Sequence, residues 1–574
     1  MSMRAGNHGR GTARDMAVRG DRVRADSACK RLAGGLTAMA MAGTLFFNAA
    51  AVAEAQALPT GSPPGTAQNQ EQRTQQYYRQ HQLPQKPATP VNPLVVPPHP
   101  QASAPKHGPS FVLSAVVFNH SAFLTPQELQ RVVQPYRGQR VEFADLDALV
   151  NKINALYTQR NVVTARAILP PQTIHNGVVH IELIEGRLGK LQIKGNRHTR
   201  SSYIERRIAL ESGTLVDAQA LERDLVFFNR TNDVQLRGLL QPGAAAGLTN
   251  VLILAREPPR AGWSLFADNN GVDSTGRNEI GATLSYRDLL GITDRLDAYM
   301  VKSRGNTDGY VSYSLPVNTH DGRLGLSYSR NQINIINGPY QSLDITGHSW
   351  TGGLNFSQPL IATQDWLFSA AGSLSKIHSV TEAAGQGIST SNLDAAAVGF
   401  SLQNTTASHI WATTQTLTRL RSTAPTRDYF TFYNGNLTWV QKLGSPYSLL
   451  MNFGWQYTHA DDLPAAELFQ IGGVGSVRGY ERGVLSGPRG FYGQFEVHRQ
   501  FGHKLDAFAF TDYGRVFAAF PKTASVSSVG LGFDWHTRSW MVLSMDLGRP
   551  LNTVVPNQDA YRLDARITFS WDAQ

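Results

Sequence analysis

The stretch YRLDARITFSW, residues 561–571, alternates without a break: Leu563, Ala565, Ile567, Phe569 and Trp571 face one way, and Arg562, Asp564, Arg566, Thr568 and Ser570 the other. Eleven alternating residues is the length a tilted strand needs to cross a bilayer; strands of soluble sheets usually run about 5–6 residues. Similar segments recur from residue 262 onward, among them NEIGATLSYRD, DRLDAYMVKS, GRLGLSYSRN, SLLMNFGWQY and WMVLSMDLG, sixteen or seventeen in all. Aromatic residues cluster near their ends, as an interfacial girdle requires. The pattern predicts a transmembrane β-barrel of about 16 antiparallel strands over residues 262–574. A closed barrel is also one of the two ways to cross lipid without orphaned backbone groups.

Upstream the period changes. FVLSAVVF (111–118) reads as a strand, and Thr125-Pro126 opens a helix with proline in its first turn. Leu146, Leu149, Val150, Ile153 and Leu156 recur at helical spacing within 143–161, and strands follow at 162–170 and 177–186. The order then repeats: a strand at 188–196, helices at 201–210 and 217–230, strands at 235–241 and 249–257. Two β-α-α-β-β units are therefore expected, at 110–187 and 188–258, with Pro258-Pro259 marking the boundary to the barrel.

The first 57 residues carry basic side chains, then the uncharged run 32–53, then Ala55-Gln56-Ala57, the order of a cleaved export signal. The leader is long, and Met16 is an alternative start. Residues 58–109 form a linker rich in Pro and Gln, within which the proline-free stretch 66–82 is a candidate polar plug helix. The single cysteine, Cys29, lies in the leader, so the mature chain needs no disulfide.

Charged residues make up 17% of the chain, against about 25% for soluble domains, while a mean hydropathy of −0.26 excludes a helical membrane bundle. The leader holds eight basic and four acidic residues, so its removal lowers the formal net charge from +10 to +6, too mild for a nucleic-acid partner. No G-x-S-x-G or phosphate-loop motif occurs. His498 and His503 lack a third residue at metal-ligand spacing and read as lumen or rim residues. No catalytic residues, metal or cofactor are therefore expected.

One loop stands apart. IGGVGSVRGYERG (471–483) interrupts the strands with four glycines ahead of Tyr480 and with Arg478 among them, and FTDYG (510–514) follows. Alternation puts Asp506, Phe508, Phe510 and Asp512 on one face of that strand; a carboxylate facing lipid is costly, so the face points inward. Arg482 has no partner legible in the sequence.

Four stretches in order resemble the two-partner secretion transporters, of the haemolysin activation/secretion type, within the barrel superfamily that bears POTRA domains. HIELIEGRLGKLQIKGN (180–196) is similar to the junction of two POTRA units, and DNNGVDSTGRNEIGATLSYRDLLGITDRL (268–296) to the first barrel hairpin. ELFQIGGVGSVRGYERG (467–483) is similar to the sixth outer loop, and FTDYG to the F-x-D-x-G strand motif. The resemblance implies two periplasmic POTRA domains and an outer-membrane barrel. It implies a loop folded into the lumen, with Val477, Arg478, Gly479 and Tyr480 as its latch. Phe510, Asp512 and Gly514 would form the wall motif, Arg478 pairing with Asp512. It implies a monomer in outer-membrane lipid that binds a large unfolded exoprotein, of adhesin or haemolysin type, on its POTRA domains; the strands at 235–241 and 249–257 and the helix at 201–210 are candidate binding elements. An insertase of the same superfamily and a porin with a periplasmic binding module are the alternatives.

Overall fold

The computed structural model describes residues 92–95, 110–160, 162, 164–245, 247–424, 427–517, 523–556 and 558–573. The leader and the candidate helix at 66–82 lie outside the described residues.

A two-residue strand, β1 (Leu94–Val95), precedes the first α/β unit. That unit comprises β2 (Phe111–Val112), β3 (Ala115–Phe118), α1 (Pro126–Val133), β4 (Arg140–Val141), α2 (Phe143–Gln159), β5 (Ala165–Ile168) and β6 (Val178–Glu185). The expected strand 111–118 is thus split in two. Thr125 and Glu128 close a reciprocal capping box at the start of α1. Leu146, Leu149, Val150, Ile153 and Tyr157 bury one face of α2. β3 runs parallel to β6, and β5 antiparallel to it.

The second unit comprises β7 (Arg187–Lys194), α3 (Ser201–Glu205), α4 (Ala218–Thr231), β8 (Gln235–Pro242) and β9 (Leu248–Arg256). β7 is parallel to β9 and β8 antiparallel to it, the pairing of the first unit over again. One feature differs. β1 adds to the edge of β8 in parallel register, Leu94 opposite Gly238 and Val95 opposite Leu239. The Gly238 amide donates to the Pro93 carbonyl at 2.8 Å, and Leu94 packs into the core of the unit with Leu225 and Ile253.

Sixteen strands then close a barrel. They are β10 (Ala261–Asp268), β11 (Glu279–Arg287), β12 (Arg295–Lys302), β13 (Asn306–Pro316), β14 (Arg323–Asn334), β15 (Ile345–Ala362), β16 (Trp366–Ala383) and β17 (Gln386–Thr405), followed by β18 (His409–Ala424), β19 (Asp428–Gly444) and β20 (Tyr447–Thr458). A short pair, β21 (Phe469–Ile471) and β22 (Leu485–Gly487), interrupts the series before β23 (Arg489–Phe501), β24 (Leu505–Phe517), β25 (Ala524–Arg538), β26 (Met541–Pro550) and β27 (Arg562–Ala573). The ladder closes between β10 and β27, where Trp263 stacks on Trp571 at 4.5 Å and Arg566 pairs with Asp268 at 2.5 Å. Large apolar side chains point outward: Leu326, Val398 and Leu531 are 63%, 63% and 67% exposed, as only a lipid-facing surface permits. Among the described residues no helix is long and apolar enough to cross a membrane.

The second unit is fastened to the barrel through a buried carboxylate. Asp321, in the turn between β13 and β14, receives the Arg207 Nε–H at 2.7 Å, the Asn232 amide at 2.7 Å and the Thr231 hydroxyl at 2.5 Å. The Tyr203 hydroxyl completes the set at 3.1 Å. Glu257, just before β10, accepts from the backbone amides of His198 and Thr199.

Candidate functional site

The chain between β20 and β23 folds into the barrel rather than away from it. β21 and β22 pair antiparallel to form its stem. Gly472 and Gly473, at φ of 115° and 81°, turn the chain beyond the stem. The Ser476 hydroxyl accepts from the Gly472 amide at 2.8 Å. Ile471, Val477, Tyr480 and Leu485 of the loop then share a buried apolar cluster with Tyr492, Val516, Val526 and Val554. The loop therefore carries a small hydrophobic core of its own inside the lumen, and its tip is held by packing as well as by charge.

Arg478 lies at the centre. Its Nε–H and Nη2–H donate to the two oxygens of Asp512, both at 2.8 Å, and its backbone N–H donates to Asp512 Oδ2 at 3.0 Å. Its third nitrogen, Nη1, meets Glu496 at 2.8 Å. The guanidinium plane covers the Phe510 ring at 3.6 Å and approaches Phe508 at 5.8 Å. Arg478 is 4% exposed and Asp512 1%. A planar five-donor fork matches this carboxylate pair and aromatic floor in a way an ammonium cannot. The chain extends outward: Glu496 also meets His498 Nε2 at 2.8 Å, and His498 Nδ1 lies 3.3 Å from Asp506.

The other singled-out residues surround this pair. Val477 is fully buried, and its side chain lies against Gly514, where an added Cβ would stand 3.0 Å from it. Gly479, at φ 83°, rests backbone against backbone on Gly548 of β26. The Tyr480 hydroxyl lies 2.8 Å from the Ser527 carbonyl and 2.8 Å from Asn552 Oδ1. The face of β24 bearing Phe510, Asp512 and Gly514 is buried in the lumen while Ala509 and Thr511 are exposed outward. Arg482 turns to the first hairpin, 4.0 Å from the buried Glu279 at the start of β11.

Glu496 and Gly548 were not singled out from the sequence. Glu496 stands directly opposite Phe510 in the β23–β24 ladder. Its lumen-side parity with Gln494 and His498 was a readable signal, but choosing it needed the register. Among the described residues no group of three or more His, Cys, Asp or Glu is placed to hold a metal ion. The arrangement seats the loop in the lumen through a directional ion pair and an apolar cluster.

The β8 edge, expected to be open to a partner strand, is covered by β1 along Gly238 and Leu239. No sequence signal marks this strand, because Leu94-Val95 sits between prolines in a segment with the composition of a linker.

A family model described as haemolysin secretion/activation protein ShlB/FhaC/HecB matches residues 247–535, and one described as POTRA domain, ShlB-type, matches residues 111–186. The heme/hemopexin transporter protein HuxB of Haemophilus influenzae is 25% identical over 499 residues, 80% of this chain and 86% of that protein. The hemolysin transporter protein ShlB of Serratia marcescens is 24% identical over 534 residues, 87% of this chain and 91% of that protein. The solved structure of CdiB from Escherichia coli superposes with a TM-score of 0.63 at 20% identity, covering 89% of this chain and all of that one, a likeness of fold.

Proposed function

The chain belongs to the haemolysin secretion/activation family, the two-partner secretion transporters of the outer membrane, and we propose that it exports one large exoprotein through a pore gated by the Arg478 latch. The barrel spans the outer membrane and the POTRA-bearing part lies in the periplasm. On this reading residues 110–187 and 188–258 are the two POTRA domains that receive the unfolded cargo. The cargo is a partner of adhesin or haemolysin class, in keeping with the haemolysin transporter among its relatives. An extended chain adding to a sheet edge gains backbone hydrogen bonds that tolerate varied sequence. The transporter acts as a monomer and its task involves no catalytic step.

The observation that carries the latch is the loop tip buried in the lumen with Arg478 bonded to Asp512 at three points. Passage of a polypeptide requires that loop to leave, so the ion pair holds the resting state. Removing one member of a buried pair strands the other charge, at a cost of about 3–5 kcal/mol. The deciding experiment is the Arg478→Ala variant, measured for heat-modifiable barrel in the membrane and for partner protein in the medium. A folded barrel with impaired export is expected; normal export by that variant would overturn the proposal.

A further inference from the structure

The outward face of β14–β18 changes chemistry along its height. Cross-strand register aligns Leu326, Leu354 and Leu374 in one row. One step further from the POTRA end, Lys376, Asp394 and Arg421 align. Arg419 stands level with Ala396 at the end of the apolar row, and Arg330 lies one step above Tyr328. These cations do not face the lumen: their neighbours Ile377, Leu393 and Leu420 do, packed on Leu463 and Ala466 of the inward loop. Arg330, Lys376 and Arg419 are exposed, and Arg421 is half-buried. Four cations thus stand in the rows they occupy on these strands, with Asp394 the carboxylate among them.

Height matters here. Trp366, which opens β16, packs edge-to-face on the outward Trp411 at 5.5 Å and marks the aromatic girdle at the POTRA end. Lys376 lies further up the same strand, a climb of about 25 Å at roughly 3.3 Å per residue and a tilt of about 40°. That climb equals the thickness of the apolar band, about 25 Å, so Lys376 and Arg421, each ten residues beyond its tryptophan, stand at the far interface, where lipid head groups lie. One of them is pre-positioned for an anion: Arg419 is held by the Thr431 hydroxyl at 2.7 Å beside the Tyr429 ring.

We infer that this basic band binds the phosphate groups of the phosphorylated glycolipid that forms the outer leaflet. The inference rests on the outer-membrane placement above and is independent of the latch. Arginine forks match phosphate oxygens, and the apolar row beneath accepts the acyl chains. Binding would anchor the long strands β16–β18, which pack against the inward loop from the other side.

The test uses the full chain in nanodiscs of neutral phospholipid, titrated with bis-phosphorylated lipid A and read by native mass spectrometry. Lys376→Gln with Arg419→Gln and Arg421→Gln should weaken retention on the order of a hundredfold, from about 1 kcal/mol per cation near an anionic surface. Asp394→Asn should tighten it several-fold, and this single change keeps the proposal testable should the triple variant fail to fold. Equal retention of dephosphorylated lipid A by the unaltered chain would overturn the proposal, as would equal retention of phosphatidylglycerol or no response to either set of substitutions. Export of the partner is not the readout, so failure here leaves the transport reading standing.

Discussion

Arg478 and Asp512 are joined by three hydrogen bonds, of which one comes from the Arg478 backbone. The carboxylate therefore fixes the loop's main chain as well as its side chain. This makes the two partners unequal. Asp512→Ala releases both the guanidinium and the backbone amide, whereas Arg478→Ala leaves the amide bond in place. Asp512→Ala is expected to impair export at least as severely. Arg478→Lys keeps a charge but loses the fork and the stacking over Phe510, so it should fall between the unaltered chain and Arg478→Ala. Secreted partner per heat-modifiable barrel measures the order. Full export by the lysine variant would mean that charge alone suffices.

The seat of the loop is as demanding as its ion pair. An added Cβ at Gly479 would lie 3.1 Å from the Gly548 carbonyl carbon, and one at Gly548 would lie 2.6 Å from the Gly479 amide nitrogen. Gly479 also sits at φ 83°, where a side chain is strained by about 1–3 kcal/mol. Gly479→Ala and Gly548→Ala should therefore share a phenotype although they lie on different elements. Both are expected to unseat the tip and raise single-pore conductance in planar bilayers. Unaltered conductance in both would show that the tip adapts to the extra methyl.

Near the periplasmic face, Glu257 supplies a pH-dependent clamp. Burial pushes its carboxyl up, but the amides of Thr199 and His198 with the His198 side chain outweigh this and hold it below its ordinary range. A carboxylate depressed in the folded state stabilises above its unfolded value, about pH 4.3, and that contribution is lost as pH falls through the folded value. The junction between the second unit and the barrel should accordingly loosen on acidification below about pH 4. Limited proteolysis at that junction, run against pH, reads it. Glu257→Gln should be more susceptible at pH 7 and flatter with pH; an identical profile for both chains would discount the clamp.

How much was legible follows from where the information lies. Alternation is local, so Leu563 to Trp571 announced a membrane strand and the parity of β24 turned Asp512 inward. Helical spacing likewise exposed the α2 core. Glu496 demanded more, since its closeness to Arg478 depends on the β23–β24 register and on how deep the loop descends. Arg482 meets a residue of β11, far away in sequence, and no periodicity links the two. Leu94-Val95 was hidden for the opposite reason: the prolines around it describe a linker, while tertiary pairing makes it a strand.

That hidden strand yields the last prediction. β1 occupies the same β8 edge that an extended cargo segment would use, and its Leu94 is 9% exposed within the core of the unit. Burial of such a side chain contributes about 1.5–3 kcal/mol. A cargo segment must therefore either displace β1 or use the uncovered lengths of β8 on either side. Displacement predicts competition. Leu94→Asp should release β1 and tighten binding of the partner's amino-terminal segment by about tenfold or more, the factor by which an occupied edge lowers apparent affinity. Fluorescence titration of that segment against the solubilised full chain measures the change. Unchanged affinity would place the cargo elsewhere, and weaker affinity would make β1 part of the binding surface instead of its competitor.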